Sequence, residues 1–271
     1  MISVVVPTRD RPDALARCLA ALARQRGAAL DIVVVDDSDR GGAVAPGARV
    51  IHGGGRGPAA ARNLGARAAR GDVVCFTDDD CLPAPDWAHR LAAACAGGGA
   101  AAGPTIADPA AGAAAAAAQL LTNTLMLSTL RAGADGRATL RFAPTSNLGC
   151  HAETLNAVPF DESFPLAAGE DRDWCARLVA GGWTLHHVPD AAVVHRPALG
   201  PRGLVRQGLR YGRGAVGFRD AGGALAGGAF YRRLARATAA AGPRTAACVL
   251  LAQAAVAGGA ALGVAEQRLA R

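Results

Sequence analysis

Asp78, Asp79 and Asp80 are three successive carboxylates placed directly after the apolar run Val73-Val74-Cys75-Phe76-Thr77. At an effective dielectric of about 20, a close pair of like charges repels by up to about 4 kcal/mol, so such a cluster is stable mainly with a cation in it. Carboxylate oxygens suit Mn2+ or Mg2+, ions that keep part of their shell for phosphate oxygens. The cluster therefore reads as a grip for a diphosphate-bearing substrate, the bland alternative being a solvated acidic turn. A second acidic pair, Glu170-Asp171, follows Gly169 and opens an amphipathic segment that ends near Gly181-Gly182. Acids at a helix start are ordinary caps favoured by the dipole, and Asp173 is read that way. Glu170 or Asp171 could instead accept the proton of an attacking hydroxyl. His195 closes the run Val193-Val194, and an imidazole nitrogen joins carboxylates readily on Mn2+. His186 and His187 are read as packing residues.

These groups need a frame. Short β-branched runs at Ser3-Val6, Ile32-Val35 and Val73-Thr77 each end in polar or acidic residues, the rhythm of parallel strands. Helices are predicted between them, over Pro12 to Arg24 with Leu15, Leu19 and Leu22 in step, and over Ala59 to Arg70. The first hundred residues are thus βαβαβ. Ligands of open parallel sheets bind beyond the carboxyl ends of the strands, where Thr8-Arg9-Asp10, Asp36-Asp37 and Asp78-Asp79-Asp80 all fall. From Ala100 to Leu140 the chain is Ala-rich and helix-prone, and we expect the acceptor side there. Ser146-Asn147-Leu148-Gly149 by itself is a turn, Val158-Asp161 another, and Val193-His195 a strand end. Beyond Pro201 a basic helix carries Arg202, Arg206, Arg210 and Arg213 on one face. Thr245 to Ala265 carries no charge and is read either as a single membrane span or as a buried or dimer-packing helix.

Bulk composition sets limits on partners. A chain of 271 residues, 51% hydrophobic and 4% aromatic, buries a sizeable α/β core. Its 29 basic residues are all Arg, and the net charge of +7 favours partners bearing phosphate or an anionic surface. Seven scattered cysteines without a CxxC pair argue against a disulfide framework and a zinc site, and read as free thiols. Met1 leads straight into Ile2-Ser3-Val4 without a secretory signal, so a cytoplasmic protein is expected, at the inner leaflet if the tail meets lipid.

Taken in order, Val4-Val5-Val6-Pro7-Thr8-Arg9-Asp10-Arg11-Pro12, Val35-Asp36-Asp37-Ser38, Ala61-Arg62-Asn63, Phe76-Thr77-Asp78-Asp79-Asp80 and Gly169-Glu170-Asp171 resemble the family 2 glycosyltransferases over roughly residues 1 to 215. The resemblance implies a GT-A fold: a Rossmann-like, mostly parallel sheet flanked by helices. It also implies a nucleoside-diphosphate sugar donor, a divalent metal (Mn2+ or Mg2+) on a DxD element, and inversion at the anomeric carbon. By position, Pro7, Thr8, Asp10, Asp37 and Arg62 would bind the nucleotide, and Asp78 and Asp80 would form the DxD, with Asp79 able to replace either. Asp78, Asp80 and His195 would hold the metal. Asp171 would be the base, Glu170 its alternative, while Ser146, Asn147 and Trp174 would line the acceptor side. Residues 1–100 would then be the nucleotide-sugar half, 101–200 the acceptor and catalytic half of the same domain, and 201–271 a basic helical tail.

Two departures matter. Arg9-Asp10 replaces the family's usual Tyr-Asn, which leaves the base open. Gln207-Gly208-Leu209-Arg210-Tyr211 resembles the Gln-x-x-Arg-Trp element of processive synthases with Tyr for Trp and without their several spans, so single-sugar transfer is expected onto a glycan, lipid or small molecule, with nucleic acid excluded. A dinucleotide oxidoreductase would need G-x-G-x-x-G where Pro7-Thr8-Arg9-Asp10 stands. A sugar nucleotidyltransferase should carry a Gly-rich loop with Arg and Lys after its first strand. A non-catalytic nucleotide-sugar-binding module would keep the rim acids without the base.

Overall fold

The computed structural model describes residues 1–27, 29–164, 168–220 and 226–269. In chain order the elements are β1 (Ile2–Thr8), α1 (Pro12–Leu22), β2 (Leu30–Asp36), β3 (Arg49–His52), α2 (Pro58–Ala68), β4 (Val73–Thr77), β5 (Cys81–Pro83), α3 (Trp87–Cys95), β6 (Ala100–Ala102) and β7 (Thr105–Ala107). After a 3-10 turn at Pro109–Ala111 come α4 (Gly112–Ser128), β8 (Arg131–Ala132), β9 (Ala138–Thr139), β10 (Asn147–His151), α5 (Ala152–Ala157), α6 (Glu170–Ala180), β11 (Leu185–His187), β12 (Val193–His195), α7 (Pro201–Asp220), α8 (Gly228–Ala240) and α9 (Pro243–Leu269).

Nine strands form one sheet in the order β3-β2-β1-β4-β10-β6-β11-β9-β8, and β5-β12-β7 form a second. The strands β3, β2, β1 and β4 are parallel throughout. Alternation along them explains the two-sided core. Val5, Val33, Val35, Val74 and Phe76 face α2 and α6, whereas Val4, Val6, Val34 and Cys75 face α1 and α3. Proline at the first turn of α1 and of α2 starts both helices at no hydrogen-bond cost. Because β2 lies on one side of β1 and β4 on the other, the strand order reverses between β1 and β4, and a crevice opens at their carboxyl ends.

The expected βαβαβ start is present with three additions, the edge strand β3, the short β5 and the helix α3. Of Ser146-Asn147-Leu148-Gly149 only Ser146 lies in a turn, closed by the Asn147 amide donating to the Pro144 carbonyl. From Asn147 the segment enters β10, antiparallel to both β4 and β6, with Leu148 and Cys150 buried and Gly149 admitting Leu91. Ala100–Ala102 is likewise strand rather than helix, since it pairs with β10 and β11 in the buried sheet, where pairing overrides alanine's helix preference.

The basic tail is helical, as expected, although its residues 221–225 and 270–271 lie outside those described. Helices α7 and α9 approach closely enough that a Cβ on Gly212 would lie 2.1 Å from the Val256 carbonyl oxygen, and one on Gly259 2.1 Å from that of Leu209. Such small-residue contacts let two helix backbones meet. With α4 and α8 they enclose a third core around Ala117, Leu204, Phe230, Leu234 and Val249. Outward on α9, Leu250, Leu251, Leu262 and Val264 are exposed. Among the described residues, Pro109–Ser128 and Pro243–Leu269 are long and apolar enough to cross a bilayer.

Candidate active site

The acidic cluster is a β-turn, closed by the Cys81 amide donating to the Asp78 carbonyl at 3.1 Å. Its three side chains go three ways. Asp78 Oδ1 lies 3.4 Å from the Arg62 guanidinium. Asp79 is fully buried, accepting from Thr8 Oγ1 at 2.7 Å and paired with Arg11 at 2.7 Å. Asp80 Oδ1 lies 3.2 Å from His195 Nε2, and its other oxygen accepts from Arg11 at 2.9 Å. The His195 ring is steered by Gln119, whose Oε1 is 3.0 Å from Nδ1.

Burial raises Asp79 to about 6 despite Arg11 and Thr8. For Asp80 burial pulls upward too, but the hydrogen bond and charge of His195, helped by Arg11, bring it below the usual carboxylate value. His195 answers in the opposite sense, with burial lowering it and Asp80 raising it further, to a net rise.

Facing this turn is the start of α6. Gly169 has φ 104°, a left-handed conformation that glycine adopts freely, and it opens α6 with Glu170 and Asp171 as the first residues. Helix α7 presses on this turn, since a Cβ on Gly214 would lie 2.4 Å from the Ala168 carbonyl oxygen. Glu170 is buried with Oε1 3.3 Å from the Arg62 guanidinium, so Arg62 spans both acidic elements. Arg62 Nε and Glu170 Oε2 are buried without a hydrogen-bond partner, the mark of groups waiting for one. Asp171 accepts from the Arg172 amide at 2.8 Å. Burial and, after it, the Glu170 charge raise Asp171 to about 7, suited to a base working near neutrality.

The remaining expected residues divide. Asp37 accepts from the Arg56 and Gly57 amides at 2.9 Å each and so shapes the loop before α2, beside β1. Asp10, at φ 54°, is exposed at the crevice mouth, and Pro7 is half-buried on the same strand end as Thr8. Ser146 is buried at the entry to β10. Two acceptor-side assignments need correcting. Asn147 is fully buried, accepting from Trp87 Nε1 at 2.7 Å and donating to the Pro104 and Ala191 carbonyls, so it is a strut between layers. Trp174 is sealed in the core, stacked on Phe160 at 5.2 Å and donating to the Val158 carbonyl. A side chain without accessible surface cannot meet an acceptor.

Sequence reasoning passed over Arg11 and Gln119. Each carried a signal: Arg11 is the second arginine of Thr8-Arg9-Asp10-Arg11, and Gln119 is the lone polar residue between Ala113–Ala118 and Leu120-Leu121. Behind Gln119 a groove of about 450 Å³ runs between β7, α4 and α8, lined by Pro104, Ile106, Leu120 and Leu127 with Arg233 on it. The donor set fits a divalent ion. Asp80 and His195 offer an oxygen and a nitrogen 3.2 Å apart, with the ring already oriented. Asp78 does not join that pair; its oxygen faces Arg62.

Residues 3–114 match the family described as Glycosyl transferase family 2. A pre-mycofactocin glycosyltransferase of Mycobacterium tuberculosis is 29% identical over 226 residues, covering 79% of this chain and 47% of that protein. The chain thus spans about half the length of the curated relatives it matches. Among solved structures, the mannosyltransferase PcManGT of Pyrobaculum calidifontis, in complex with GDP-Man and Mn2+, superposes with a TM-score of 0.59 at 21% identity, over 99% of this chain and 80% of that one. GalNAc-T7 with UDP, GalNAc and Mn2+ gives 0.56 at 15% identity, over 79% of this chain and 47% of that one.

Proposed function

We propose that this chain, whose residues 3–114 match the Glycosyl transferase family 2 model and whose fold is that of GT-A glycosyltransferases, moves a sugar from a nucleoside-diphosphate sugar to an acceptor hydroxyl, with inversion and one sugar per encounter. One observation carries the reading: a charged crevice at the strand-order reversal, where Asp80 and His195 pair at 3.2 Å and Arg62 spans Asp78 and Glu170, the residue next to Asp171.

Each residue has work to do there. The loop shaped by Asp37, with Pro7, Thr8 and Asp10 at the end of β1, receives the nucleoside. Asp80 and His195 would hold Mn2+ or Mg2+, with Asp78 beside them on the same turn; when bound, the ion supplies positive charge to the departing diphosphate. Arg62 adds a fixed guanidinium to that wall. Asp171 takes the proton of the acceptor hydroxyl as its oxygen attacks the anomeric carbon from the face opposite the leaving group. Because attack and departure occur once, on opposite faces, the configuration inverts. Burial, and after it the charge of Glu170 held by Arg62, keeps Asp171 from ionising too easily.

Donor turnover against a panel of nucleotide sugars with Mn2+ tests the proposal. Transfer is expected from one donor and lost in Asp80→Ala and in Asp171→Asn. Untouched transfer in both variants would sink it. The same reading puts the protein in the cytoplasm with the outward face of α9 toward the inner leaflet, supported by the exposed Leu250, Leu251, Leu262 and Val264; cell fractionation decides.

A further inference from the structure

Cys81 takes no part in the function so far assigned, and its sulfur lies against the Asp80 carboxylate. It is fully buried, which for most thiols is simply packing. Its position is specific, however. Strands β5 and β12 pair antiparallel with Cys81 directly opposite His195, and directly opposed residues present their side chains on one face. The thiol sulfur lies 4.0 Å from Asp80 Oδ1, the same oxygen that His195 Nε2 approaches to 3.2 Å. Among the described residues, Asp80, Cys81 and His195 form a group whose donor atoms all lie within 4.8 Å of one another. A tetrahedral centre with ordinary zinc bond lengths puts its oxygen and nitrogen about 3.4 Å apart and its sulfur and oxygen about 3.6 Å apart. The observed 3.2 and 4.0 Å are within a few tenths of an ångström of those separations. Gln119 already fixes the imidazole with Nε2 inward.

We propose that Cys81 is a third donor to the cation held by Asp80 and His195, so that the site prefers thiophilic divalent ions such as Zn2+ and Co2+ over Mg2+. The proposal rests on the reading of this rim as a divalent-cation site. On binding, the S–H bond breaks, a sulfur–metal bond forms, and the proton passes to solvent; the ion keeps its oxidation state. Sulfur ligation deepens the affinity gap that already separates Zn2+ and Co2+ from Mn2+ at mixed nitrogen and oxygen sites. The expectation that scattered cysteines exclude a zinc site came from spacing alone, and spacing cannot see a ligand supplied across strands.

Titration of the full chain with Co2+, alone and with UDP or GDP, tests this by absorption. The wild type should show the sulfur-to-cobalt charge-transfer band in the near ultraviolet. Cys81→Ser should bind Co2+ without that band, and Cys95→Ser, altered at a remote buried thiol, should keep it. In competition against Mn2+ followed by electron paramagnetic resonance, the preference for Zn2+ should fall about tenfold or more in Cys81→Ser. Co2+ bound to the wild type without the band, or a band that survives Cys81→Ser, overturns the thiol ligand and leaves the Asp80 and His195 site standing. Failure of both Co2+ and Mn2+ to bind the wild type overturns the cation site as well. A 113Cd resonance of the wild type reports sulfur in the coordination sphere whether or not the variants fold.

Discussion

Asp171 and Arg62 decide how the crevice behaves with pH and under mutation. In the proposed role of base, Asp171, raised to about 7 by burial and then by the Glu170 charge, works only when deprotonated, so kcat/KM should drop about tenfold per unit as pH falls below about 7 and level off above it. In Asp171→Asn the limb should vanish along with most of the rate, about 100-fold or more. The same shift predicts the stability profile. The folded value lies above the unfolded value of about 4, so the folded protein binds the extra proton between them, and stability falls as pH rises from about 4 to about 7. Urea melts of wild type and Asp171→Asn compared across that window check the sign. For Arg62, removal leaves Glu170 buried without its cation, and Arg62→Met should lose about 3–5 kcal/mol in urea denaturation. Adding Glu170→Gln should restore much of that loss, whereas two independent defects would add.

Between elements, the corrected roles make their own predictions. Asn147→Ala orphans the buried Trp87 indole N–H, removes the Asn147 bonds to the Ala191 and Pro104 carbonyls, the latter keeping the Val193 amide, and should cost about 3 kcal/mol with acceptor KM unchanged in the folded fraction. A raised KM without loss of stability would return Asn147 to the acceptor side. The strands β1, β2 and β4 and the helices α1, α2 and α6 were legible because each carries its own signal: β-branched runs ending in polar or acidic residues, leucines at helical spacing in α1, a helix-forming run ahead of Gly71 in α2, and an amphipathic segment between an acidic start and Gly181-Gly182 in α6. Not legible were β6 and β10. Ala100–Ala102 has a helix former's composition, and Asn147–Gly149 has a turn's, and both are strands because of what flanks them in the sheet. For the candidate site, the order of motifs singled out Asp78–Asp80, Glu170-Asp171 and His195, of which the fold pairs Asp80 with His195 and joins Asp78 and Glu170 through Arg62. The division of labour among the three aspartates follows from a turn geometry that spacing does not encode, and Arg11 reaches Asp80, and Gln119 and Cys81 meet His195, only through the tertiary fold.

At the scale of the whole molecule, the helical tail is a layer of its own. Gly212→Val would drive a side chain into the α9 backbone, and it should lower the melting temperature while nucleotide affinity of the remaining folded protein stays unchanged. The two sheets, by contrast, are joined at the chemistry. Strand β4 belongs to the nine-stranded sheet and β5 to the three-stranded one, and between them lie only Asp78, Asp79 and Asp80. Asp78 leans on α2 through Arg62, Asp79 on β1 through Thr8, and Asp80 on β12 through His195. Mechanically the turn is a rivet through three plates, and its length cannot vary. One inserted residue would rotate each carboxylate into the compartment of the next. A cation seated on Asp80 and His195 would tighten that rivet from the small-sheet side. Amide exchange across Cys81–Pro83 and Val193–His195 should therefore slow on adding Mn2+ with a nucleoside diphosphate, so that the smaller sheet registers the loading of the crevice as stiffness.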